Sequence, residues 1–104
     1  MVREYKAPSN LYWEPEDIST EYLVIYPNGA KRWYLNRKLH REDGPAEIYF
    51  GNKYWYLNGK RHRVDGPAIS RLDNTKEYWY EGEEYEYIKS DEEWVNFLKL
   101  KFLW

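Results

Sequence analysis

The chain contains no cysteine and only one methionine in 104 residues. Without thiols there is no disulfide framework, no thiolate metal site and no thiol nucleophile, and the missing bridges favour a reducing, cytoplasmic setting. No apolar run approaches the roughly 18 residues of a membrane helix, and the opening MVREYK carries charge with no apolar run behind it. The expectation is a protein with neither a membrane span nor a secretory signal. Gly-rich phosphate loops, nucleophile elbows and HExxH patterns are also missing, which removes the commonest sequence routes to phosphoryl transfer, acyl transfer and zinc hydrolysis. An enzyme is not expected, and neither is a resident cofactor or metal.

Aromatic rings are what the chain has in excess: 12 Tyr, 6 Trp and 3 Phe make up 20% of the residues. A third of the chain is charged, yet disordered sequences lack such rings, so the composition reads as folded. The length suits one domain over residues 1–104. A domain this small removes only about 65% of its unfolded surface from water, so a few large rings must carry the core.

The net charge of −2 hides segregation along the chain. Residues 29–72 hold ten Lys or Arg against four acids, whereas residues 73–93 hold nine acids against two lysines.

The segment 29–46, GAKRWYLNRKLHREDGPA, lies over 51–68, GNKYWYLNGKRHRVDGPA, at an offset of 22 with 13 of 18 positions identical. A decayed third copy, DNTKEYWYEGEEY, starts at Asp73 and keeps the Trp-Tyr pair, so Trp33, Trp55 and Trp79 mark successive units. The organisation is therefore an atypical N-terminal cap (1–28, with Tyr12, Trp13 and the run 21–29), hairpin repeats at 29–50 and 51–72, a degenerate third repeat at 73–89, and a closing helix in 90–104.

Within a unit, Tyr54 to Leu57 are strand formers, and Asn58-Gly59 predicts a two-residue hairpin turn in which both residues take positive φ. Asn36-Arg37 replaces that pair in the first copy, so Arg37 must adopt positive φ or the loop must change type. Asp65-Gly66-Pro67 ends one strand and starts the next. The units join as an antiparallel meander. Alternation sets Trp33 and Leu35 opposite Tyr34, and Trp55 and Leu57 opposite Tyr54 and Tyr56.

Ser90 followed three residues later by Glu93 forms a capping box, with acids in the first turn and Lys99 and Lys101 in the last, predicting a helix over 91–102. Trp94, Phe97, Leu98 and Phe102 fall near one stripe with Val95 beside it. The helix is expected to cover the Trp face of the sheet or a partner chain, and homodimerisation through it is open. Leu100, Leu103 and Trp104 widen its apolar surface. The fold class is α+β: a twisted antiparallel meander of tandem hairpins plus one C-terminal helix.

WYLNRKLHREDGPA and WYLNGKRHRVDGPA resemble the tandem WYxNGxxHRxDGPA repeats of small bacteriophage and bacterial proteins, and more distantly the MORN family of Tyr-Asn-Gly hairpin repeats. The strict likeness covers residues 29–46 and 51–68, with a partial match at 73–85. It implies an array of antiparallel hairpins, a phage or mobile-element origin and an interaction surface, and no particular chemistry. Arg37 for Gly, and Glu81-Gly82 for Leu-Asn-Gly, depart from the pattern.

His40 and His62 each precede Arg and stand three residues before Asp. A catalytic reading pairs His62 with Asp65 as a general base and uses Arg63 to clamp an anion. The structural reading has His stacking on a Trp or donating to a loop carbonyl, while Asp caps the Gly-Pro turn. Recurrence favours the second, because catalysis needs one constellation whereas architecture recurs in every unit.

Two binding surfaces stand out. Tyr34, Tyr56, Tyr80, Tyr85 and Tyr87 with Glu83, Glu84 and Glu86, plus Trp104, are the residue types of a protein interface, and eight acids in residues 77–93 could mimic phosphate charge. The leading reading is a phage-encoded, non-enzymatic inhibitor of a host defence protein, an anti-CRISPR or similar effector that handles nucleic acid. The alternative is a nucleotide or nucleic-acid binder, a signal-nucleotide sponge, using Arg41, Arg61, Arg63 and His62 among the aromatic rings.

Overall fold

A computed structural model describes residues 2–9 and 13–102. The strands are β1 (Arg3–Lys6), β2 (Tyr22–Ile25), β3 (Lys31–Leu35), β4 (Lys38–Leu39), β5 (Glu47–Tyr49), β6 (Asn52–Tyr54), β7 (Tyr56–Leu57), β8 (Lys60–Arg61), β9 (Ile69–Ser70), β10 (Lys76–Glu77), β11 (Trp79–Tyr80) and β12 (Glu83–Glu84), followed by α1 (Asp91–Phe102). The class is α+β, as the alternation, turn residues and capping box predict.

The main sheet runs β1-β2-β3-β5-β6-β9-β10, with β4 paired to β3. All its pairings are antiparallel except one, because β1 lies parallel to β2 with Arg3 beside Tyr22. The antiparallel meander runs from β2 to β10, and β1 adds to its N-terminal edge a parallel strand that the alternation alone does not place. Tyr5, Trp13, Tyr22, Val24, Tyr26 and Tyr34 pack together here, so the atypical opening unit has its own small aromatic core. Tyr12, Leu103 and Trp104 lie outside the described residues.

Each unit turns at two ends. Asn36-Arg37, Asn58-Gly59 and Glu81-Gly82 all have positive φ at both positions, the signature of a type I′ hairpin. Arg37 therefore adopts the left-handed conformation, at φ 66°, rather than changing the loop. At the opposite end Phe50-Gly51 makes a further two-residue turn, closing the Tyr49–Asn52 pair. Ala46 N–H donates to the Tyr54 carbonyl although Tyr54 is already opposite Glu47, so two residues face one. This is a β-bulge. Ala68 repeats it against Glu77, and both alanines are fully buried.

The third unit is displaced by one residue from the expected phase. Trp33 and Trp55 accept the amide N–H of His40 and His62 on their carbonyls, and the matching bond in the third unit runs from Tyr85 to Tyr78. Arg41 N–H reaches the Tyr56 carbonyl, and Arg63 N–H reaches that of Trp79. Tyr78 is thus the counterpart of Trp33 and Trp55, Trp79 that of Tyr56, and Tyr80 that of Leu57. Matching the Trp-Tyr letters placed Trp79 in the wrong column, because the turn between β9 and β10 is one residue longer than the Phe50-Gly51 turn.

The helix covers the last member of the Trp column, Tyr78, and not Trp33 or Trp55 themselves, which Arg41 and Arg63 cover. Trp94 and Leu98, both fully buried, pack with Tyr78, Tyr85 and Ile88 of the third unit. The Trp94 indole N–H donates to the Arg63 carbonyl at 2.8 Å, tying the helix to the second repeat. Ser90 Oγ accepts the Glu93 amide at 3.1 Å, and Glu93 accepts the Lys89 amide at 3.0 Å, which fixes where the helix starts. The helix closes the end of the array and supplies the apolar cover that the degenerate unit lacks.

Candidate functional site

The identical residues of the two repeats form one bonded box, present twice. The guanidinium of Arg41 lies 3.9 Å over the Trp33 ring, and that of Arg63 lies 3.9 Å over Trp55. Arg41 donates to Asp43 at 3.0 Å and to the Pro45 carbonyl at 3.2 Å; Arg63 donates to Asp65 at 2.9 Å and to the Pro67 carbonyl at 3.2 Å. A Cβ on Gly44 would sit 2.8 Å from the Arg41 guanidinium carbon, and one on Gly66 would sit 2.9 Å from that of Arg63. The letters R-x-D-G-P therefore spell a lid: Arg covers Trp, Asp and the Pro carbonyl hold Arg, and Gly leaves it room.

The histidines complete the box. His40 Nδ1 accepts the amide of Asn58 at 3.0 Å, and His62 Nδ1 accepts that of Glu81 at 2.9 Å. Each His ties its own unit to the hairpin turn of the next. Burial holds the His62 imidazole below its ordinary range, against the opposing pull of the Glu81 carboxylate. His40 places its other nitrogen 3.2 Å from Glu21. In neither unit does the Asp three residues on bond the His; Asp43 and Asp65 serve the arginines.

A groove of about 500 Å³ opens between the two box loops, with Trp55, Leu57 and His62 in its wall. Arg41 and Arg63 line it, but their donors are turned toward Asp43, Asp65 and the Pro carbonyls. An entering phosphate would also meet the Glu42, Asp43 and Asp65 carboxylates at the rim. Arg61 is engaged as well: it donates to the Tyr56 hydroxyl at 3.1 Å and lies 4.9 Å over Trp79. The four residues of the nucleotide reading thus spend their hydrogen-bonding groups largely within the fold. Among the described residues no group of three or more His, Cys, Asp or Glu converges as a metal site. No helix there is long and apolar enough to cross a membrane.

The tyrosines of the protein-binding reading do not form one surface. Tyr34 stacks on Tyr22 at 5.6 Å and shares a 2.9 Å hydroxyl contact with Tyr26, at the N-terminal end of the array. Tyr56 is held by Arg61. Tyr80 lies 4.7 Å from His62 and stacks on Phe102 at 4.4 Å. Tyr85 is buried against Trp94 and Phe97, in the position His occupies in the complete units, so it is corrected as a partner contact: the helix covers it. Tyr87, by contrast, is 62% exposed.

Glu84 and Glu86 converge beside Glu77, whereas Glu83 accepts the Tyr85 hydroxyl at 3.3 Å. Glu83 and Glu86 are exposed and Glu84 is half-buried, on the hairpin and linker that lead into the helix. Partial burial, then the neighbouring Glu77 and Glu86 charges, push the Glu84 carboxyl above its ordinary range. Glu77 is ion-paired instead, accepting from Arg71 at 2.7 Å and from the Trp79 indole at 3.0 Å. Two features escaped the sequence reading: Tyr78 as the third ring of the Trp column, and the outer edge of β10 beside these acids. The single-residue slip between units would have revealed both.

No family model matches the chain, and no curated protein or solved structure does either.

Proposed function

We propose that the protein is a non-enzymatic protein-binding module, of the kind a phage would use to inhibit a host defence protein by occupying its surface. One observation carries this reading: of the residues that recur between the repeats, Arg, Trp, Asp, Pro and Ala engage one another in each unit, Gly leaves room for the Arg, and His bonds the turn of the next unit. A constellation repeated and satisfied inside the fold has little left with which to act on a substrate. Activity then falls to what the units do not share, the acidic third hairpin with Glu83, Glu84, Glu86 and the exposed Tyr87.

Such a surface suits a basic partner, a nucleic-acid-handling effector among them, since aligned carboxylates speed encounter and exclude competing acidic surfaces. The test is an affinity capture from bacterial lysate, followed by titration of the captured protein, purified, against the chain and against its Glu83→Lys, Glu84→Lys, Glu86→Lys triple variant. At least tenfold weaker binding by the variant, with an unchanged melting curve, is expected. Unchanged binding removes the acidic hairpin from the interface, and a capture that nuclease treatment abolishes points to nucleic acid instead.

A further inference from the structure

In both complete units the first strand is covered by the return strand of its own unit. β3 pairs with β5, placing Lys31 opposite Ile48, and Trp33 N–H donates to the Ala46 carbonyl at 2.8 Å. β6 pairs with β9, placing Lys53 opposite Ser70, and Trp55 N–H donates to the Ala68 carbonyl at 2.7 Å. In the third unit the chain enters α1 before any return strand forms. β10 pairs with β9 alone and ends the main sheet among the described residues.

Ladder parity says which groups this leaves at the edge. Glu77 faces β9, accepting Ala68 N–H, so the N–H and C=O of Lys76 and the N–H of Tyr78 point outward, as those of Lys53 and the N–H of Trp55 do toward their return strand. A groove of about 350 Å³ lies along this edge, walled by Glu77, Tyr78, Glu84, Glu86 and Ile88. Lys76 and Lys89 also border it, and Lys89 Nζ is held by the Glu86 carbonyl at 3.1 Å.

The charge order selects the occupant. In the first unit Arg32 on the first strand pairs across to Glu47 on the return strand at 2.7 Å. In the third unit the first-strand residue is Glu77, which shares its carboxylate with Arg71 at 2.7 Å, and Glu84 and Glu86 stand beside it in the groove wall. We propose that the outer edge of β10 is a strand-addition site for an extended segment of a partner protein. The segment runs antiparallel to β10, with a small residue against Tyr78 and Lys or Arg against Glu77. This deepens the protein-binding reading and rests on it. Main-chain bonds supply the affinity and the acidic wall the selectivity. An incoming cation would also offset the Glu77 and Glu86 charges that, after partial burial, raise the Glu84 carboxyl.

The probe is a synthetic peptide of the chain's own second return segment, RVDGPAISRL, residues 63–72, carrying Ile69→Arg so that a guanidinium meets Glu77. Fluorescence anisotropy should show saturable binding to the full chain. N-methylation at the peptide serine, which removes the N–H aimed at the Lys76 carbonyl but keeps every side chain, should weaken it at least tenfold. Lys76→Pro in the protein should do the same, whereas Lys76→Ala should not. Should the proline variant fail to fold, the N-methyl comparison on the unmodified protein decides alone. No binding, equal binding of the methylated peptide, or a dimer in light scattering that Lys76→Pro dissolves would each overturn the proposal, the last assigning the edge to a second copy. The two readings separate cleanly. A purified partner that binds Lys76→Pro undiminished sinks the edge site and spares the protein-binding reading; lack of any protein partner sinks that reading even where the peptide binds.

Discussion

The Nδ1 atom of His62 accepts the backbone N–H of Glu81 at 2.9 Å, joining the second repeat to the turn of the third. An accepting nitrogen is unprotonated, so this bond exists only for neutral imidazole. Burial lowers the His62 pKa in the fold, with Glu81 opposing. The unfolded chain, titrating near the ordinary value of about 6.5, then takes up a proton that the folded chain resists. Stability is constant above that value and falls as pH drops through it toward the folded value. The melting temperature should decline between about pH 7.5 and 5.5, above the range where the paired carboxylates titrate. His62→Gln should flatten that slope and cost about 1 kcal/mol at neutral pH through the altered bond.

Gly66 and Arg63 should couple strongly in a double-mutant cycle. A methyl on Gly66 lands 2.9 Å from the Arg63 guanidinium carbon, so Gly66→Ala expels the arginine from its place over Trp55. The lost cation–π contact and hydrogen bonds suggest a penalty of about 1–2 kcal/mol, and Arg63→Ala alone should cost the same. With Arg63→Ala already present, Gly66→Ala should be nearly neutral, because nothing remains to expel. Arg63→Lys should not rescue, since an ammonium cannot lie flat on the ring while bonding both Asp65 and the Pro67 carbonyl. Urea unfolding of the four variants measures the cycle, and additive penalties would show that the close approach is not what requires glycine.

Much of this architecture is legible in the residues themselves. The Asn58-Gly59 turn, the Ser90 and Glu93 cap and the helix over 91–102 follow from local chemistry that tertiary contacts do not override. Recurrence favours architecture for His and Asp without giving their bonds, since each His accepts an amide instead of donating to a carbonyl and each Asp holds an Arg. The phase of the third unit was hidden because its Trp-Tyr pair imitates the earlier ones, while ladder register is set by turn length and bulges that composition does not encode. The parallel β1–β2 pair was hidden for a similar reason: alternation identifies a strand without identifying its neighbour. Tyr85 looked like an interface ring because, along one dimension, a phenol suited to a partner and one covered by the chain's own helix are the same letter.

Glu81 occupies a left-handed position, φ 46°, where Asn58 and Asn36 stand in the other hairpins. Asparagine tolerates that conformation better than glutamate. Glu81→Asn should therefore stabilise the protein by about 0.5–1 kcal/mol, read as a rise in melting temperature. Removing the carboxylate also deletes the one group that raises the His62 pKa, so the acid-side loss of stability should steepen in the same variant. A variant no more stable than the parent would mean that the turn is held by the His62 bond irrespective of its residue.

Trp94 is the residue through which the helix substitutes for a further repeat. Its ring is fully buried, 5.6 Å from Tyr78 and 5.5 Å from Tyr85, and its N–H satisfies the Arg63 carbonyl. Trp94→Ala removes both packing and bond and should cost about 3–5 kcal/mol. Trp94→Phe retains most of the packing but leaves the Arg63 carbonyl without its indole donor, so about 1–3 kcal/mol is expected. Because each unit leans chiefly on its neighbours, the damage should be graded along the array. Amide hydrogen exchange in Trp94→Phe should rise first in α1 and the β11–β12 hairpin, then at Arg63 and the β7–β8 hairpin, and least in β2 and β3. Uniform acceleration across all strands would show that the array unfolds as one cooperative block, with the helix acting on the whole sheet rather than on its last unit.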